Sequence, residues 1–257
     1  MTEILPIPAF NDNYIWSIQN DQGDAWVVDP GDAQPVLRHL AENGLTLRGI
    51  LITHHHHDHI GGVNELLANY AVPVYGFMRS AIKAITIPLQ EGDRVELGDF
   101  SLEVLETPGH TLDHIAYFGE IAGAPRLFCG DTLFSAGCGR LFEGDPAMMR
   151  QSLDKLRRLP ANTYIYCAHE YTLSNLRFAQ AVMPESDEVN KRKLQCESLR
   201  AQGVPTLPAV LGEEVAYNPF LMAEHPAVRR MAQEVSGSPC ATATDTFAAI
   251  RAWKDRF

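Results

Sequence analysis

The sequence predicts an α/β chain in two parts, a strand-rich first two thirds and a helical remainder. Three observations predict it. Nine short runs rich in β-branched, aromatic or leucine residues, bounded by Gly, Pro, Asp or Asn, recur between residues 14 and 167. Three helical segments interrupt them. After Glu170 strand signals nearly vanish and helical periodicity takes over. This change places a boundary near residue 171, giving parts 1–170 and 171–257.

In chain order, strands are expected at 14–18 and 25–28. A helix follows over about 33–43, with Asp32 as N-cap, Val36, Leu37 and Leu40 on one face, and Gly44 as stop. Strand 48–52 leads into a histidine-rich loop, then a helix over roughly 62–69. Strands are expected at 72–75, 94–97, 100–105, 115–118 and 126–129. The third helix opens at Asp145-Pro146, an N-cap followed by proline at N1, and runs through Met149, Leu153, Leu156 and Leu159. Strand 163–167 closes the first part. Helices are then expected over about 173–183, 187–202 (capped by Ser186, stopped by Gly203), 226–235 and 246–256. Residues 204–220, with Pro205, Pro208, Gly212 and Pro219, read as an ordered connection.

Bulk properties exclude several classes. A chain of 257 residues suits one good core plus a smaller second unit. Its formal charge of −11 argues against nucleic-acid binding, because a phosphate backbone must meet a basic surface. No apolar stretch approaches the ~20 residues of a membrane span, and Met1-Thr2-Glu3-Ile4 lacks the layout of a signal peptide. Cys129, Cys138, Cys167, Cys196 and Cys240 form an odd set without CxxC pairing, which reads as free thiols in a reducing compartment. The cytoplasm is the expected location.

The most informative segment is Thr53-His-His-His-His-Asp-His-Ile-Gly-Gly62. Imidazole nitrogen and carboxylate oxygen are the donors that borderline divalent metals prefer. In an extended loop, alternate residues point to one side, so His54 and His56 converge on one ion while Asp58 and His59 face a second. His55 and His57 fall out of that register and are expected to support or pack. A tag-like tract would sit at a terminus; this one is internal and follows a strand. Three further candidates share the setting of an apolar strand and then a ligand-type residue: His110 after 100–105, Asp131 after 126–129, and His169 after 163–167.

These motifs carry a family resemblance. THHHHDH, TPGHT (107–111), GDTLF (130–134) and AHEYT (168–172) resemble the metallo-β-lactamase superfamily; CGRLFEG (138–144) and the helical C-terminal part narrow this to the hydroxyacylglutathione hydrolases, or glyoxalase II. The resemblance spans essentially the whole chain. It implies a four-layer αββα sandwich followed by a helical substrate-binding domain. It also implies two divalent ions, zinc first and iron or manganese as alternatives. His54, His56 and His110 would hold one, Asp58, His59 and His169 the other, and Asp131 would bridge. Asp58 and Asp131 count as catalytic in this scheme. Asp29 resembles the family's buttress beneath the histidine loop, though a simple turn former before Pro30-Gly31 reads equally well. Two ions supply +4, and two carboxylates and a hydroxide remove about three charges, leaving a positive centre that holds hydroxide at neutral pH.

The activity implied is hydrolysis of S-D-lactoylglutathione and related 2-hydroxyacyl glutathione thioesters by a metal-bridging hydroxide, the second step of methylglyoxal detoxification. The departing thiol has a pKa near ~8.5, so it leaves as thiolate without an obligatory acid. By resemblance, Arg140, Phe142, Tyr171, Arg251 and Lys254 line the glutathione site; taken alone, Arg251 and Lys254 would be surface helix charges. Phe142 stands where some members have tyrosine, and Asp113 where glycine is frequent. The expected partner is this small thioester alone, with no nucleic acid and no membrane, and the chain is expected to be monomeric. Persulfide dioxygenases share the THxHxDH loop but use one iron on two histidines and a carboxylate, which makes them the rival reading.

Overall fold

The computed structural model describes residues 2–257. The chain divides into two compact units: residues up to Glu106 together with Asp113–Gly130, and Thr107–Leu112 together with Asp131–Phe257.

The first unit holds β1 (Glu3–Ala9), β2 (Asn13–Gln19), β3 (Asp24–Val28), α1 (Ala33–Asn43), β4 (Thr46–Leu51), α2 (His57–Ile60), α3 (Val63–Asn69), β5 (Val74–Phe77), β6 (Ile87–Leu89), β7 (Arg94–Leu97), β8 (Phe100–Glu106), β9 (Ile115–Ile121) and β10 (Ala124–Gly130). β1 to β6 form one sheet in sequence order, antiparallel through β3 and parallel from there to β6. Parallel neighbours need a crossover, and α1 supplies it between β3 and β4, α3 between β4 and β5. Val36 and Leu40 of α1 and Val63 and Leu66 of α3 pack with Val27, Ile50 and Val74 of the sheet. Each such side chain stabilises the packing by about 1.5–3 kcal/mol. β7 to β10 form an antiparallel meander. The Tyr117 hydroxyl of β9, fully buried, donates to the Ile52 carbonyl at 2.8 Å and so ties the meander to the start of the histidine loop.

The second unit holds β11 (Leu133–Phe134), β12 (Gly137–Cys138), α4 (Pro146–Arg157), β13 (Tyr164–Cys167), α5 (Thr172–Val182), α6 (Asp187–Ala201), β14 (Ala209–Val210), α7 (Leu211–Tyr217), α8 (Pro226–Ser236) and α9 (Ala243–Lys254). The caps expected at Asp32, Gly44, Asp145 and Ser186 are the caps or termini found. α9 begins three residues before its expected start, because Thr242 and Asp245 form a capping box. Phe178, Phe220, Phe247 and Trp253 cluster in this unit's core.

Candidate functional site

β4 ends at Leu51, and the chain runs through Thr53 into the histidines. His54 and His59 are buried and their rings lie 4.0 Å apart, while Nε2 of His54 stands 3.1 Å from Nδ1 of His56. The loop is not extended throughout: residues 57–60 close a single helical turn, α2. Asp58 and His59 are therefore presented by a turn and not by strand-like alternation, which corrects that part of the sequence reading. Nε2 of His59 is 3.4 Å from Oδ2 of Asp58, and Asn13 donates to the same oxygen at 3.0 Å. A side chain at Gly31 would meet the Asp58 carbonyl at 1.8 Å, so glycine is required for that close approach.

Asp29 lies beneath the loop, buried and in the left-handed region (φ 53°). Its carboxylate accepts from the Thr53 amide at 2.7 Å, the Thr53 hydroxyl at 2.7 Å and Nδ1 of His59 at 3.0 Å. Because the Thr53 hydroxyl spends its proton on Asp29, its oxygen accepts from Nδ1 of His54 at 3.0 Å. The hydrogen-bond pattern thus assigns the proton to Nδ1 in both histidines and leaves Nε2 as a lone-pair donor, the form a metal ligand needs. The buttress reading fits these contacts better than the turn former does.

In the second unit, His110, Asp131 and His169 come together. Oδ2 of Asp131 lies 3.4 Å from Nε2 of His110, and Oδ1 lies 3.3 Å from Nε2 of His169, so its two oxygens serve two different imidazoles. Nδ1 of His110 donates to the Arg140 carbonyl at 2.7 Å, so in the neutral imidazole Nε2 carries the lone pair. His169 stacks on Tyr171 at 4.6 Å and 4°, and Phe134 stands edge-on to both rings. A Cβ at Gly139 would fall 1.9 Å from the Asp131 carbonyl oxygen.

These separations test whether the residues suit a metal. Two ligand atoms at 2.0–2.1 Å from a shared tetrahedral ion stand about 3.3 Å apart. The pairs His54–His56, His59–Asp58, His110–Asp131 and His169–Asp131 stand at 3.1, 3.4, 3.4 and 3.3 Å. Donor type and spacing fit divalent ions, as does the proton placement on His54, His59 and His110, and donors of this kind recur in both units.

The basic residues also gather in the second unit. Arg251 is 6% exposed, which excludes the solvated-helix reading; it donates to the Cys138 carbonyl at 2.9 Å and pairs with Asp255 at 3.1 Å. Arg140 lies 3.7 Å from the same Asp255 oxygen, with its guanidinium over the Phe142 ring. Lys254 sits over Phe178 and Phe257, and burial, then Arg251 and Arg177, lower its pKa to about 8. Phe142 is 60% exposed beside His110.

In the first unit Asp113 is buried, accepting from Ser80 at 2.6 Å and standing 2.8 Å from Nδ1 of His55. Its charge is thereby engaged locally, by Ser80 and by His55, whose ring also stands edge-on to that of His56 at 5.1 Å. His57 is exposed. Sequence reasoning missed Asn13, His114, which stacks on His54 at 4.8 Å, and the buried Glu214. Asn13 lies among turn residues and Glu214 in a Glu-Glu pair, so neither carried a signal apart from its neighbours.

Residues 170–257 match the family model for the hydroxyacylglutathione hydrolase C-terminus, and residues 10–83 and 77–169 match the metallo-beta-lactamase superfamily. A hydroxyacylglutathione hydrolase of Hahella chejuensis is 94% identical over all of both chains, and one of Photobacterium profundum is 50% identical, also over all of both. Among solved structures, ETHE1 from Myxococcus xanthus superposes with a TM-score of 0.66 at 25% identity, covering 99% of this chain and 98% of its own. The BLEG-1 B3 metallo-beta-lactamase gives 0.65 at 24% identity over 86% and 99%, a likeness of fold. No helix among the described residues is long and apolar enough to cross a membrane.

Proposed function

The chain belongs to the hydroxyacylglutathione hydrolases of the metallo-β-lactamase superfamily, and from that premise we propose that it hydrolyses S-D-lactoylglutathione to glutathione and D-lactate. The observation that carries the proposal is the Asp131 carboxylate, one oxygen on His110 and the other on His169, with His110 locked in the ligand tautomer. His54, His56 and His110 would hold one divalent ion and Asp58, His59 and His169 the other, with Asp131 shared and zinc the leading metal. Bound there, the ions would lower the pKa of water and act as Lewis acids toward the thioester carbonyl.

The protein's own part is to hold and orient. Asp29 and Thr53 fix the protonation of His54 and His59, and the Arg140 carbonyl does the same for His110. Arg140, Arg251 and Lys254 meet the carboxylates of the glutathione moiety in a chain whose overall net charge is −11, and Tyr171 adds a hydroxyl. The thiolate leaves without needing an acid. Residues 1–170 would form the metal-bearing catalytic part and 171–257 the substrate-binding part, acting on a small thioester in the cytoplasm as a monomer.

A panel of S-lactoylglutathione and non-glutathione thioesters, assayed on protein of measured metal content, tests this reading. Two ions per chain with strong preference for the glutathione thioester is expected. One iron per chain with oxygen consumption would overturn it.

A further inference from the structure

Glu214 of α7 is wholly buried although it carries a carboxylate. A buried charge is costly unless donors surround it. Its donors are neutral: the Ala136 amide at 2.7 Å, the Tyr217 hydroxyl at 2.7 Å and the Asn218 side chain at 3.1 Å. The Asn218 amide nitrogen also lies 3.1 Å from the Phe134 carbonyl and 3.0 Å from that of Gly137, its two hydrogens shared among three acceptors, and Asn175 donates to the carbonyl of Ser135 at 3.0 Å. Side chains thus bind four consecutive backbone groups in the turn between β11 and β12. Ala136 sits there at φ 55°, a left-handed conformation that is unfavourable for a non-glycine residue.

This turn lies between Asp131 and the Gly139 that packs on the Asp131 carbonyl, and the Gly139 amide donates to Thr132 at 3.2 Å. Phe134, at its start, supports the His169 ring. We propose that Glu214, with Asn218, is the positioning residue that fixes the 134–137 turn and thereby aims the Asp131 carboxylate at its two imidazoles. The inference rests on the reading of Asp131 as a metal ligand. It assigns a task to a stretch whose sequence reads as a connection.

The test loads wild type, Glu214→Leu, Glu214→Gln and Asn218→Ala with cobalt(II), and measures its affinity, its visible spectrum, the thermal midpoint and kcat. Glu214→Leu is expected to weaken cobalt binding by about 10–100-fold, to shift the visible bands, and to lower kcat in protein that remains folded. Glu214→Gln keeps an acceptor for the Ala136 amide, and the Tyr217 hydroxyl rotates to accept from its NH2, so binding recovers to within about tenfold of wild type. Should Glu214→Leu fail to fold, Asn218→Ala reads the same relationship through the two turn carbonyls. A lowered thermal midpoint with an unchanged cobalt spectrum and affinity would overturn the proposal, since a merely structural role gives that result. Wild type that takes up no cobalt would instead overturn the reading of the site on which it rests.

Discussion

Nδ1 of His59 stands 3.0 Å from Oδ2 of Asp29, an oxygen that also accepts from the Thr53 hydroxyl at 2.7 Å. One carboxylate thereby sets the protonation of two imidazoles, His59 directly and His54 through Thr53. Asp29→Asn isolates this role, because asparagine tolerates the left-handed backbone. Its amide would donate where Oδ2 accepted, moving the His59 proton to Nε2 and removing a lone pair from the metal side. Zinc affinity should fall about 10–100-fold, measured by competition with a coloured chelator. Unchanged affinity would remove Asp29 from the site's support.

Asp131→Ala deletes the two oxygens that face His110 and His169. Metal content by elemental analysis should drop at both positions, not at one. Protein that retains two ions and full activity would contradict a shared ligand.

Lys254→Ala and Arg251→Ala should raise KM for S-lactoylglutathione by about tenfold or more while kcat changes little, the pattern of lost uniform binding. Arg251 is the more buried and holds the Cys138 carbonyl, so its loss should also lower stability by about 1–3 kcal/mol. An equal fall in kcat and kcat/KM would place these residues at the reacting centre instead.

Burial and the neighbouring Arg251 and Arg177 bring Lys254 to about 8, so the ammonium is charged below that pH and neutral above it. The charged form is the one that meets a carboxylate. kcat/KM should therefore fall as pH rises through about 8 in wild type, and Lys254→Arg, charged throughout, should flatten that limb. An identical alkaline limb in both proteins would sink the assignment.

Much of the fold was legible because period and punctuation agreed: Asp32 and Gly44 bracket α1, and Asp145-Pro146 opens α4. The candidate ligand residues were legible because each follows a strand, at Leu51, Glu106, Gly130 and Cys167. What escaped has physical causes. β1 contains Pro6 and Pro8, which argue against a strand; it lies at the sheet edge, where prolines two apart point their missing donors away from β2. α2 is one turn hidden in a histidine tract, and α7 is short, with Gly212 at its second position and Pro205, Pro208 and Pro219 around it. Glu214 escaped because nothing local distinguishes a buried glutamate from the exposed Glu213 beside it.

Seven side chains sharing two ions is an arrangement that anomalous diffraction from zinc-loaded crystals reads directly. It predicts two peaks about 3.5–4 Å apart, one at His54, His56 and His110, the other at Asp58, His59 and His169, with an Asp131 oxygen on each. A single peak, or two peaks that leave Asp131 without an ion, would contradict it.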